Sequence, residues 1–185
     1  RIEACTCRRK GLPVPCSGLS VHTGNYSEAG VLMDNYMKRA LELAREAFDE
    51  GEVPVGAVVV KKTTGEIVGE GRNRRETAKN ALAHAEIEAI DQACKKLGGW
   101  RLPECALYVT LEPCPMCCGA IINSRIDNVY FGAYDLKSGS AESVQKMFSL
   151  PYNYRPEVMG GMMEEECSAI LSEFFKELRI RKKNK

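Results

Sequence analysis

The chain has 185 residues, of which 44% are hydrophobic and 28% charged, with a formal net charge of +1, so one globular domain with a sizeable buried core is expected. No apolar run approaches the ~18–20 residues of a membrane-crossing helix, and Arg8, Arg9 and Lys10 are not followed by the apolar stretch of a secretory signal, so a cytoplasmic protein with no membrane partner is expected. The charge is uneven: an acidic body ends in a basic tail, Lys176, Arg179, Arg181, Lys182, Lys183 and Lys185, which suits a negatively charged partner.

Residues 1–32 are rich in Gly, Pro, Ser and Cys and lack periodicity, so they read as a disordered or non-native leader to a folded domain over 33–185 that opens at Met33. Cys5, Cys7, Cys16 and His22 fit no zinc-finger spacing. From Asp34 to Glu50 apolar residues recur at three- and four-residue steps, predicting a helix with Asp34 as N-cap and Gly51 as stop. Val53 to Val60 is a β-branched run of strand length, and a turn over 61–65 returns it through Glu66 to Gly71 as a hairpin. A polar loop from Asn73 leads to a second helix over 83–97, ended by Gly98-Gly99. A strand follows over 106–111, then a short helix opened by Pro115 and running to Ser124, a strand over 127–131 and a short strand over 157–160. A last helix over 164–181 carries Cys167, Ile170, Leu171, Phe174, Phe175 and Leu178 on its apolar face. Strand–helix–strand links of this length favour an α/β fold, a mixed sheet covered by helices.

Two short motifs carry the chemistry: His84-Ala85-Glu86, and thirty residues on, Pro113-Cys114-Pro115-Met116-Cys117. Zinc accepts imidazole nitrogen and thiolate sulfur in a tetrahedral shell, and three protein ligands leave the fourth corner for water. Two cysteines three apart chelate one ion from the first turn of a helix, where Pro115 costs no hydrogen bond and the helix dipole favours thiolate. Glu86, about half a helical turn from the direction of His84, sits beside such an ion without binding it and suits a proton carrier. The other readings of a CxxC are a structural half-site, which lacks a fourth ligand here, and a redox pair, which leaves the HxE motif without a role.

The paired H-x-E and P-C-x-x-C motifs are the signature of the cytidine/deoxycytidylate deaminase superfamily. More narrowly, GEVPVGAVVV, GRN, ALAHAEIEAI, GGWRLPECALYVTLEPCPMCCGAIINSRI, FGAYDLKSG and EEECSAILSEFFKELR resemble the bacterial tRNA-specific adenosine deaminases over about residues 34–181. The resemblance implies a three-layer αβα sandwich around a five-stranded mixed sheet of cytidine-deaminase type, a homodimer, and hydrolysis of the wobble adenosine of tRNA to inosine. It implies one Zn²⁺ per subunit on His84, Cys114 and Cys117, with Glu86 as the catalytic acid. It places Asn73 on the target base, Val53 and Pro54 on the pocket wall beside it, and Phe174 against the anticodon loop. Cys118 departs from the family, which has a small apolar residue there.

A deaminase needs a splayed base, which a tRNA anticodon stem-loop supplies. The basic tail, including Lys176, Arg179, Arg181, Lys182 and Lys183, reads as phosphate contacts or equally as a solvated helix end. Arg72, Arg74 and Arg75 around Asn73 read as a grip on the RNA backbone or as a polar loop, and Asn73 itself also fits ordinary turn chemistry. Trp100 reads as a core-edge packing residue. The rival functions are deamination of a free guanine or deoxycytidylate, and a zinc-stabilised RNA-binding module that leaves Glu86 without a task.

Overall fold

The computed structural model describes residues 28–183, with side chains from 32 onward. Nearly all of the expected leader, with Cys5, Cys7, Cys16 and His22, lies outside the described residues. The first helix, α1, spans Glu28–Asp49. It therefore begins before the expected start at Asp34, which is an interior residue and not an N-cap. Glu28 to Leu32 contains no proline, so nothing stops the helix from running back past Asp34.

Strands β1 (Gly56–Lys61) and β2 (Glu66–Arg72) form the expected hairpin, followed by α2 (Ala85–Leu97), β3 (Cys105–Leu111), α3 (Pro115–Ser124), β4 (Asn128–Ala133), β5 (Glu157–Met159) and α4 (Glu164–Lys183). A 3-10 turn at Met147–Ser149, which the sequence pattern did not reveal, interrupts the long link from β4 to β5. The strands lie in the order β2-β1-β3-β4-β5. β1 pairs antiparallel with β2 and β3, whereas β3–β4 and β4–β5 are parallel.

Strand β1 explains the layering. Alternate residues of a strand face opposite sides, and here both sides are apolar. Ala57 and Val59 join Leu107, Val109, Val129 and Phe131 in a core beneath α2 and α3. Val58 and Val60 join Tyr108 in a second core with Tyr36, Met37 and Ala40 of α1 and Cys167 of α4. The result is an αβα sandwich. Helix α2 packs unusually close to β2: a Cβ placed on Gly71 would sit 2.1 Å from the Ala85 carbonyl oxygen, and one on Gly69 would sit 2.1 Å from that of Ala89.

The register brings one set of chain ends together. Gly56 of β1 pairs with Arg72 of β2, and Ala57 pairs with Val109 near the end of β3. Leu111 of β3 in turn pairs with Ala133 at the end of β4. The segment before β1 and those after β2, β3 and β4 therefore all emerge at one edge of the sheet, the carboxyl end of its parallel strands, where open α/β sheets bind ligands.

Candidate metal centre and substrate cavity

A cavity of about 460 Å³ opens at that edge, with Val53, Val55, Asn73, His84, Glu86 and Cys114 in its wall. His84 is the N-cap of α2 and Cys114 the N-cap of α3, and neither side chain caps its own helix. Both are turned instead toward a common point. The His84 Nδ1 lies 3.7 Å from Cys114 Sγ and 3.5 Å from Cys117 Sγ, and the two sulfurs are 3.6 Å apart. A tetrahedral zinc shell has edges of about 3.8 Å between sulfurs and about 3.5 Å between sulfur and nitrogen. The three donors fit that shell, and they form the metal-competent cluster among the described residues.

The donors perturb one another's protonation. The thiol of Cys114 is pushed down to about 4, first by its hydrogen bond with Cys117 and then by His84, against the opposing effect of burial. Cys117 moves the other way, raised by the same hydrogen bond and by burial. The imidazole of His84 is raised, chiefly by its contact with the Cys114 sulfur. Glu86 is 4% exposed, and burial raises its carboxyl to about 6. A carboxyl near neutrality both takes and gives a proton at cellular pH.

Asn73, buried at the end of β2, donates through Nδ2 to Glu52 Oε2 at 3.4 Å and to the Val53 carbonyl at 3.2 Å. Those bonds fix the amide plane and leave Oδ1 as the free acceptor. Glu52, itself 1% exposed, also accepts the Thr77 N–H at 2.6 Å through Oε1. Sequence reasoning missed Glu52, although a carboxylate inside the otherwise apolar turn Glu52-Val53-Pro54-Val55 was the available signal. It also missed Glu112, another buried acid. Burial alone would raise the Glu112 carboxyl, but hydrogen bonds from the Ser143 hydroxyl and from the N–H groups of Glu142, Ser143 and Asp135 prevail and lower it.

Several residues stand elsewhere than the sequence suggests. Pro54 is buried away from the cavity, and Val55 takes its place on the wall. Phe174 is 7% exposed and packs edge-on to Phe48 of α1 with ring centroids 5.4 Å apart, so it is core. Phe175 is the aromatic that reaches the cavity. Arg72 pairs with Glu50 at 2.7 Å and Glu46 at 3.4 Å, and Arg74 pairs through Nε with Glu88 at 2.9 Å, so each already has a carboxylate partner within the protein. Arg75, in the cavity wall, forms no ion pair among the described residues. In the tail Arg181 pairs with Glu177, while Lys176, Arg179, Lys182 and Lys183 are unpaired among the described residues. Cys118 is buried with its sulfur 3.5 Å from the Pro113 carbonyl, away from the metal cluster, and burial raises its thiol. Trp100 is 58% exposed in the link between α2 and β3, under the Arg101 guanidinium, and so is not a core-edge residue.

The αβα sandwich, the His/Cys/Cys cluster and the buried acid define a nucleobase deaminase, and residues 33–179 match the family model of the MafB19-like deaminases. A tRNA-specific adenosine deaminase of Bacillus subtilis (strain 168) is 50% identical over 149 residues, 80% of this chain and 91% of that protein. The chain belongs to the tRNA-specific adenosine deaminases. A solved structure from work on A-to-I editing by tRNA deaminases at the wobble position superposes with a TM-score of 0.71 at 44% identity, covering 74% of this chain and 98% of that one. A guanine deaminase from Bacillus subtilis is more distant, with a TM-score of 0.53 at 37% identity over 68% of this chain and 82% of that one.

Proposed function

We propose that the chain hydrolyses adenosine to inosine at the wobble position of a tRNA, with the anticodon stem-loop as the bound element, one Zn²⁺ held by His84, Cys114 and Cys117, and Glu86 as proton carrier. The observation that carries this reading is the placement of a three-donor cluster of zinc dimensions beside a buried carboxyl and an oriented amide in one cavity. A zinc ion there would acidify water toward neutral pH and so supply the nucleophile. Net reaction replaces the exocyclic amine by oxygen from water and releases ammonia. Glu86 would take one proton from the attacking water and give it to the ring nitrogen, then take the second from the new C6 hydroxyl and give it to the amine, which leaves as ammonia as the carbonyl forms. Asn73 orients the base edge through Oδ1, and Val53 and Val55 give the ring an apolar wall. Such a base must leave its stack, which a single-stranded loop permits.

A guanine substrate is disfavoured by the greater distance of that relative, and an RNA-binding module without turnover leaves the buried Glu86 idle. Lys176, Arg179, Lys182 and Lys183 would hold loop phosphates. We further infer a homodimer, a folded deaminase domain over about 33–185, and residence in the cytoplasm, where tRNA and reduced thiols occur together. The direct test is Glu86→Gln. It should keep metal and stem-loop binding while turnover falls by about 10²-fold or more. Turnover near the parent rate would refute the assignment.

A further inference from the structure

Beyond β4 the cavity wall is irregular backbone. Tyr134, Asp135, Leu136, Lys137 and Ser138 all contribute to it, and no helix or strand forms until Met147. One side chain from elsewhere holds this stretch. Glu112, 2% exposed, lies between the end of β3 and Cys114. Its Oε1 accepts the N–H groups of Ala141 at 3.2 Å, Glu142 at 2.8 Å and Ser143 at 2.9 Å. Its Oε2 accepts the Asp135 N–H at 3.1 Å and the Ser143 hydroxyl. Five donors saturate a carboxylate that offers about four lone-pair sites. The backbone fits the same knot, since the Glu112 N–H donates to the Ala133 carbonyl at 2.9 Å and the Ser140 N–H to that of Pro113 at 2.8 Å. Gly139 is pressed on the carboxylate, where a Cβ would sit 2.2 Å from Oε2. Consecutive N–H groups wrapped on one anion form a nest, here closed on a side chain of the protein itself.

We propose that Glu112 is a positioning residue for substrate capture: by gripping both ends of the segment from Asp135 to Ser143, it holds the cavity rim in the shape that receives the nucleotide. The inference rests on the tRNA deaminase reading above. Because its oxygens are filled by protein donors, Glu112 acts through the rim and not on the substrate. Glutamine at this position keeps the size but turns one acceptor into a donor. In either orientation of the amide, that donor faces at least two of the groups now bound.

The test compares the zinc-loaded full chain with Glu112→Gln and Ser143→Ala, the latter removing one donor only. The readouts are kcat and KM on an anticodon stem-loop, metal content, and amide hydrogen exchange at residues 135 and 141–143. For Glu112→Gln the expected result is unchanged metal content, faster exchange at those amides, KM raised about tenfold and kcat within about threefold. Ser143→Ala should move exchange and KM the same way, KM by about twofold. Parent-like exchange and KM in Glu112→Gln would overturn the proposal, as would a fall in kcat with loss of metal, which would make Glu112 a support of the Cys114 turn. Should Glu112→Gln fail to fold, Ser143→Ala decides alone, and an unchanged KM and exchange there count against the grip. Absence of stem-loop turnover in the parent chain would strike the functional reading instead, while the exchange comparison would still decide whether Glu112 holds the rim.

Discussion

Gly71→Ala links the packing of the sheet to the metal centre. A Cβ at this position would lie 2.1 Å from the Ala85 carbonyl oxygen, 2.7 Å from the Ala89 nitrogen and 2.9 Å from the Glu88 Cβ. Two of these are helix backbone, which cannot rotate aside. Ordinary contact begins near 3.4 Å, so the N-terminal turn of α2 must withdraw from β2 by about 1.3 Å. That turn carries His84 and Glu86, whereas Cys114 and Cys117 stand on α3 and stay. Metal–ligand distances tolerate about 0.2 Å, so the His84 bond must lengthen or the helix must tilt. Overpacking should cost about 1–3 kcal/mol of stability, and metal affinity should fall at least about tenfold. Thermal denaturation and competition with a chromogenic chelator measure the two effects. Gly119→Ala is the control, because a Cβ in that α3 position meets nothing within 4 Å and should gain about 0.5–1 kcal/mol. Parent-like metal affinity in Gly71→Ala would refute the claim that β2–α2 contact sets the position of His84.

The two adjacent phenylalanines should separate stability from binding. Phe174→Ala empties a buried site against Phe48 and should cost about 3–5 kcal/mol in urea denaturation, whereas Phe175→Ala should leave the midpoint nearly unchanged and raise KM for the stem-loop; equal stability losses would contradict the assignment of inner and outer rings. Arg74→Ala should leave the salt dependence of stem-loop binding intact, since Glu88 already neutralises Arg74, while removal of residues 179–185 should flatten it; a flattened slope in Arg74→Ala would reverse that ranking. The Glu70 carboxyl is lowered by its hydrogen bond from Arg39, which contacts both oxygens at 2.8 and 2.9 Å. Its contribution is therefore present above the unfolded carboxyl value of about 4.3 and is lost as pH falls through the lower folded value. Tm of Glu70→Gln should lie below the parent at neutral pH and converge with it as pH falls below the unfolded carboxyl value, and a gap that stays constant as the pH is lowered would count against the pair.

The metal site was legible because its chemistry is local: two cysteines three apart and a histidine two residues before a glutamate each lie within one helical turn. The sheet was legible because β-branched runs and turn residues mark strands. What the sequence hid depends on partners distant in the chain. Phe174 and Phe175 are a single step apart, and the inward ring is the one that meets Phe48 on α1. Arg72 and Arg74 looked available until α1 and the turn after it supplied Glu46 and Glu50, and α2 supplied Glu88. Glu112 carried no signal in the sequence, because its five donors come from residues more than twenty positions away. Val53 and Val55 read as strand, yet Pro54 between them lacks an N–H, and the Val55 N–H turns back to Val53. The pair becomes cavity wall instead.

The most direct measurement follows an anticodon stem-loop with adenosine at the first anticodon position, incubated with purified zinc-loaded chain, digested to nucleosides and separated by liquid chromatography with mass detection. Conversion of that adenosine to inosine, lost in His84→Ala along with bound metal, is the expected result. An intact adenosine alongside rapid deamination of free guanine by the same preparation would contradict it.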